Sequence, residues 1–368
     1  MGNNTTTERG SSLLRVMDKG LGIPLLRSLG LIHNPRPLPE KISSIALLRT
    51  NAIGDTILLS GVIKDLKQQY SEAEILFFTG GSNHEIARCT AGSDRVIQLP
   101  VTNPFKSINI LREHDFDVLI DFGQWPRIDA LLSWGSGADF TVGFETKDQY
   151  RHYTYDRTVR HSPDVHEIEN FRRLVSELGV ESRSDPSIEL PDIENPKRLS
   201  PTSNEFVVFH PWPGGLRSDL KQWPADRWVK LADWVVSQDL DVVITGSKAD
   251  RESTGGLINR MDSGRVHSVA GELSLVETGH LLTQSRATVS VDTGIAHLSA
   301  VLDVPTVSLH GPSFPERWGP IGKHVYPIKS EDDRCGYMYL GFESPDQPLD
   351  CMESITVETV FHELQSVL

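Results

Sequence analysis

The chain has 368 residues, 38% hydrophobic and 23% charged, the balance of a soluble globular protein too long for one ordinary core and suited to two domains. A net charge of −14 argues against nonspecific nucleic-acid binding, so no nucleic-acid partner is expected. Cys89, Cys335 and Cys351 are too few for a disulfide framework, point to a reducing compartment and form no CxxC that would suggest zinc. No apolar run is long enough to span a bilayer, and the opening MGNNTTTERGSS lacks a signal-peptide core. Met1-Gly2 followed by Thr6 fits a myristoylation pattern only formally.

Residues 1–10 read as a disordered tail. From Ser11 to Leu31 leucines alternate with Arg15, Lys19 and Arg27, and Gly20, Gly22 and Pro24 are expected to break the segment into two short helices. A helical arm packed on the domain is the favoured reading; an amphipathic segment on an anionic membrane face, a peripheral membrane contact, is the sharper one. KISSIALLR (41–49) is the first strand, followed by a Gly-Asp turn, a helix over 56–70 and a strand over 74–78, which together make a βαβ unit. Short strands follow at 95–99 and 118–122, a helix at 129–134 and an edge strand at 140–144. HEIENFRRLVSEL is an amphipathic helix closed by Gly179, and residues 180–204, rich in Pro, Ser and charge, are the best linker.

A second alternation begins at Phe206. It predicts strands at 206–210, 241–246 and 266–269, with helices at 225–237, from Asp250 onward and at 275–284. The stretch VSVDTGIAHLSAVLDVPTVSLHGPSFPERWGP then supplies strand, Asp-Thr-Gly turn, helix and strand within one run. A last helix covers 356–368. Two doubly wound parallel sheets are therefore expected.

Asp292, Thr293 and Gly294 fall where a strand ends and a helix begins. Backbone N–H groups and the helix dipole favour an anion there, and His297 lies one turn on. The bland reading is a helix cap and a surface histidine. Asp55 opens the first helix of the first half, as a dipole partner or as a base. The loop His210 to Pro224 carries Gly214, Gly215, Arg217 and Lys221, yet is neither a Walker A loop nor a nicotinamide-type glycine loop. Asp250 or Glu252, just past a strand end, would hold ribose hydroxyls or simply cap a helix. Residues 151–166 concentrate Arg151, Arg157, Arg160 and three histidines, a receptor for an anion or a solvated loop. No spacing marks a metal site.

These stretches, LLRTNAIGDTILLSGVIKDLKQQYSEAEI, KQWPADRWVKLADWV, ITGSKADRE and the Asp-Thr-Gly-x-x-His block, resemble glycosyltransferase family nine, the ADP-heptose:lipopolysaccharide heptosyltransferases. CMESITVETV near the carboxyl end is similar too. The resemblance implies an α/β GT-B fold, two Rossmann-like doubly wound domains facing across a cleft. Residues 1–40 would be a helical extension, 41–185 an acceptor-binding domain, 186–204 a linker and 205–350 a nucleotide-sugar-binding domain. Residues 351–368 would form a final helix of the kind that crosses back to the first domain. It implies an inverting, metal-independent transferase with no cofactor beyond its ADP-sugar donor. Its acceptor would be an anionic glycolipid or glycan, met in the cytoplasm at the inner face of the cytoplasmic membrane.

Residue by residue, Asp55 matches the proposed general base. Lys221, Thr293, Gly294 and His297 match groups that steady the donor diphosphate, and Asp292 one that holds sugar hydroxyls. Asp250, with Glu252 second, matches the ribose acid, and Arg151, Arg157 and Arg160 would receive the acceptor. The long, Pro- and Gly-containing loop after His210 and Ser60-Gly61, where many members carry proline, depart from the pattern. A nucleotide-sugar binding protein without transfer, or a GT-B-like epimerase, is the alternative.

Overall fold

The computed structural model describes residues 12–261 and 264–368, apart from the side chains of residues 12–15 and 17. The expected amino-terminal tail and its Met1-Gly2 and Thr6 pattern lie outside the described residues. The chain divides into two compact units, Met1–Ser187 and Ile188–Leu368.

The first unit holds strands β1 (Ser44–Arg49), β2 (Glu74–Thr79), β3 (Arg95–Gln98), β4 (Val118–Asp121), β5 (Phe140–Glu145) and β6 (Arg157–Arg160). They form one parallel sheet in the order β3-β2-β1-β4-β5-β6. Its helices are α1 (Ser12–Gly30), α2 (Ile53–Gln69), α3 (His84–Ala87), α4 (Pro104–Arg112), α5 (Arg127–Gly135) and α6 (Glu167–Ser176). The central strands are buried almost end to end, which is why they read as unbroken apolar runs rather than alternations.

Two expectations need correction here. Residues 12–30 form one continuous helix, not two short ones. Tertiary contacts override the breakers. Leu26 is buried against Ala130 and Tyr155, and Asp18 pairs with Arg127 at 2.8 Å. Gly22 is required by the approach to α5, since a Cβ there would lie 2.9 Å from Cδ of Arg127. Second, β5 is not an edge strand. The segment read as a cationic loop contains β6, which pairs with β5 in parallel and takes the edge.

The second unit holds β7 (Phe206–His210), β8 (Asp241–Ile244), β9 (Val266–Ser268), β10 (Ala287–Val291), β11 (Thr306–His310) and β12 (Val325–Lys329), ordered β12-β11-β10-β7-β8-β9 and all parallel. Its helices are α7 (Ala225–Ser237), α8 (Arg251–Ile258), α9 (Leu275–Leu282), α10 (Gly294–Val301), α11 (Pro315–Trp318) and α12 (Val357–Val367). Val357, Val360 and Leu364 of α12 join the core built on Phe209, Trp228, Val289 and Leu309. α12 packs on α7 and on β10, β11 and β12.

The two sheets share one connectivity. In each, the first strand sits at the centre, the chain steps outward twice, then returns to the other side of that strand. The reversal falls between β1 and β4 in the first unit and between β7 and β10 in the second. Loops at the carboxyl ends of such strands part there and leave a crevice for ligands.

The segment between the units is anchored. Asp65 of α2 accepts hydrogen bonds from the backbone of Arg183 and Ser184 and from the hydroxyls of Ser182 and Ser184. Gly61 permits this, because a Cβ there would sit 2.5 Å from the Ser184 carbonyl oxygen. On the second unit, the Pro191 carbonyl accepts from His280 of α9 and the Pro196 carbonyl from Gln284 just beyond it.

Candidate active site

The first crevice is built from the ends of β1 and β4. Arg49, 1% exposed, donates through Nη1 to the Phe122 carbonyl at 2.6 Å and to Oε1 of Gln124 at 2.9 Å. Its Nη2 is bonded to Oδ2 of Asp55, in the first turn of α2. Gln124 donates to the same Asp55 oxygen at 3.3 Å and to Oε1 of Glu167 at 2.8 Å, and Glu167 in turn lies 3.0 Å from Nε2 of His161. Asp55 is thus a buried carboxylate oriented by a cation and an amide. Ala52, which leads into α2, has φ 68°, a left-handed conformation unusual for a non-glycine residue and of the kind stored at functional sites.

Beside it lies a second buried network. Asp121, the last residue of β4, accepts from Arg151 Nη2 at 2.5 Å, Tyr155 OH at 2.6 Å and the Gly123 amide at 2.8 Å. Thr50 donates to Oδ1 of Asp129 at 2.7 Å, whereas Oδ2 of Asp129 accepts no hydrogen bond among the described residues. Burial, with the neighbouring charge of Asp121, pushes the Asp129 carboxyl up to about 7 despite Arg151, Thr50 and Arg49.

The second crevice carries the opposite chemistry. Lys221 ends a short 3-10 turn over 218–221 and places Nζ 2.9 Å from Oδ2 of Asp292. Ser313 donates to the same oxygen at 2.6 Å. Burial alone would raise the Asp292 carboxyl, but Lys221, His310 and Ser313 together hold it well below the usual carboxylate range. Thr293 is the cap of α10, its hydroxyl accepting from the Ile295 amide at 3.3 Å, so the bland cap reading holds for it and leaves the following amides at the helix start. Gly294 is the first helical residue, and His297 is buried on the next turn. His210, at the end of β7, meets Thr245 at 2.9 Å, and burial drives it down to about 4 against the pull of Asp250.

The remaining expected residues divide. Asp250 spends Oδ2 on the Ser247 amide and hydroxyl in a capping box, and Glu252 is exposed in the first turn of α8. The three arginines do not form one cluster. Arg151 is fully buried in its ion pair with Asp121, whereas Arg157 and Arg160 are exposed on edge strand β6, Arg157 3.6 Å from Glu177. Among the described residues, no cluster of His, Cys, Asp and Glu is arranged to hold a metal, and no helix is long and apolar enough to cross a membrane.

Sequence reasoning missed Arg49, Gln124, Glu167 and His161 around Asp55, and Ser313 and His310 around Asp292. The available signal was position, since Arg49, Gln124, His310 and Ser313 stand at or just past strand ends. It also missed a disulfide. Cys335 and Cys351 are bonded, against the reducing chemistry inferred from cysteine number. Two cysteines cannot reveal pairing by count alone; here both are buried at the base of a loop. That loop meets the Pro312 carbonyl through Met338 and Arg217 through Ser344, flanking Ser313 and Lys221.

Comparison with known proteins follows the same lines. The model of glycosyltransferase family 9 (heptosyltransferase) matches residues 105–336. Lipopolysaccharide heptosyltransferase 1 of Pseudomonas aeruginosa is 27% identical over 309 residues, 78% of this chain and 84% of that protein. Among solved structures, a family 9 glycosyl transferase from Veillonella parvula superposes with a TM-score of 0.76 at 18% identity, covering 91% of this chain and 99% of that one. The E. coli ADP-heptose lps heptosyltransferase II gives a TM-score of 0.71 at 19% identity, covering 88% and 98%. The chain belongs to glycosyltransferase family 9, the heptosyltransferase family, and is a glycosyltransferase with the α/β GT-B fold.

Proposed function

We propose that the protein transfers a heptose or closely related sugar from an ADP-sugar to a lipopolysaccharide-core or related glycan, with inversion and without a metal. Asp55 takes the proton of the acceptor hydroxyl as that oxygen bonds to the anomeric carbon. The bond from that carbon to the diphosphate oxygen breaks, and ADP leaves with the electron pair. Arg49 and Gln124 orient the Asp55 carboxylate. Lys221 and the amides at the start of α10, with Gly294 allowing close approach, stabilise the leaving diphosphate where other enzymes use a cation. His297 reinforces them, and Asp292, with Oδ2 engaged by Lys221 and Ser313, offers its other oxygen to a sugar hydroxyl. Asp250, or Glu252, takes the ribose. The first unit would bind the acceptor, an anionic glycolipid or glycan, and the second the donor. The enzyme would work in the cytoplasm at the inner face of the membrane.

The observation that carries this reading is the oriented carboxylate of Asp55 at the first reversal point, in a chain of this family whose second reversal point gathers a lysine and a helix start. The names of its relatives support the sugar, the nucleotide and the acceptor. Asp55→Asn should abolish transfer while ADP binding, read by thermal shift against ADP-, GDP-, UDP- and CMP-sugars, stays within about twofold of the parent; that shift follows directly from mass action. Transfer by the variant would remove the base, a preference for another nucleotide would replace the donor, and inhibition by EDTA would contradict the metal-free site.

A further inference from the structure

Large apolar side chains left exposed are confined to the first unit among the described residues. Most belong to one short stretch. Val16, Leu21 and Leu25 on α1 are 68%, 67% and 45% exposed, and Leu31 and Ile32 in the turn after it are 88% and 73% exposed. The inner side of the same helix is already satisfied by Leu26, Gly22 and Asp18 packing on α5. The outer side therefore has no partner among the described residues. A patch of this kind marks an interaction surface rather than scattered surface leucines.

Its charge is opposite to that of the chain. Asp18 is the one acid in residues 16–39, and it is tied to Arg127. Lys19 and Arg27 are exposed on α1. The whole chain carries a net charge of −14, so a cationic, apolar strip stands out on an acidic molecule. Aromatic groups continue it. The Arg27 guanidinium lies 4.3 Å over the Tyr150 ring, Tyr150 stacks on Tyr153, and Tyr153 is packed so closely on Gly30 that a Cβ there would lie 2.8 Å away. Tyr153 is itself 38% exposed. Tyrosine beside arginine and leucine is the side-chain set of a lipid headgroup boundary.

We propose that the outer face of α1, with Leu31, Ile32 and Tyr153, docks on an anionic lipid surface. The helix lies in the interface and does not cross it, in keeping with its length and its glycines. The charge on the strip selects an anionic bilayer over a neutral one. A second copy docked through the same face would set Lys19 and Arg27 against their own counterparts, like charge against like. The inference deepens the proposed function in placing the acceptor-binding unit on the membrane that holds the acceptor, and for that location alone it rests on that reading.

The test is flotation of the full chain with vesicles of phosphatidylcholine, with and without one-third phosphatidylglycerol. The parent should float with the anionic vesicles, more than tenfold better than with the neutral ones, and lose most of that binding in high salt. Leu21→Glu with Leu31→Glu should abolish flotation with an unchanged melting temperature, and Lys19→Glu with Arg27→Glu should weaken it even if the first pair proves unstable. Transfer to a soluble, delipidated acceptor should be the same in all variants, which separates this proposal from the proposed reaction. Flotation equal in parent and variants overturns it. So does a parent that ignores both vesicles and forms a dimer in ultracentrifugation that the leucine substitutions dissolve, for then a second copy covers the face.

Discussion

The two units repeat one sheet topology, yet their crevices are filled with opposite chemistry. The first gathers Asp55, Asp121, Asp129 and Glu167, held by Arg49 and Arg151 in closed networks. The second gathers Lys221, His310, Ser313 and the start of α10 around Asp292. A shared topology thus fixes where a ligand can sit, and the side chains at the strand ends decide its charge. A carboxylate-rich crevice is suited to taking protons, and one with a lysine and helix amides to holding a diphosphate.

The largest effect should come from breaking the central ion pair of each crevice. Arg49→Met leaves Asp55 buried without its main cation, and loss of one partner from a buried pair costs about 3–5 kcal/mol. Its kcat should fall by about 10²-fold or more with donor binding little changed. Lys221→Met leaves Asp292 with Ser313, so the fold survives better and the penalty appears in donor affinity. Steady-state kinetics on the two variants check the division. If Arg49→Met weakens the donor and Lys221→Met spares it, the assignment of chemistry to the units is reversed.

A smaller effect separates the units by pH. Asp129 is raised in the fold to about 7 from 3.8, so between those values the folded state holds the extra proton. Its contribution to stability is complete below about pH 4 and is lost as pH rises toward 7. His210 is lowered to about 4 from 6.5, so across that window the unfolded state binds more protons and stability rises with pH. Burial lowers His310 in the same sense. Denaturant unfolding between pH 4.5 and 7 should therefore show Asp129→Asn removing a downward slope and His210→Asn removing an upward one. Parallel slopes in parent and variants would mean that neither group titrates as its surroundings require.

Much of this arrangement was legible in the sequence. The strands at 44–49, 74–79, 206–210 and 287–291 showed as apolar runs bounded by glycine or a polar turn, and α7 and α10 showed their 3.6-residue period. Asp292 could be placed because it follows a strand directly, and Asp55 because it opens the helix that comes after one. What stayed hidden depends on distant partners. Arg49 looks like any arginine ending a strand until Phe122, Gln124 and Asp55 close around it. α1 reads as broken because glycine and proline are local signals, and it is held straight by Arg127, Ala130 and Tyr155, more than ninety residues on. The disulfide likewise joins residues whose pairing depends on the loop between them.

The smallest expected effect concerns the arginines that sequence placed together and the fold separates. Arg157 is 58% exposed and 3.6 Å from Glu177, a surface pair worth less than about 1 kcal/mol. Arg160 is exposed on the same edge strand. Replacing both with alanine should leave the unfolding midpoint almost unmoved. Arg151→Met, by contrast, strands Asp121 beside Asp129 in a fully buried network and should unfold the first unit at moderate denaturant. An edge strand keeps its backbone pairing when its outward side chains are trimmed, so any change in the double variant must be read at a ligand. If Arg157 and Arg160 receive an anionic acceptor, the acceptor KM rises severalfold, more at low salt than at high, while kcat and donor KM stay put. An acceptor KM that does not move assigns these two arginines to the solvated edge of the sheet.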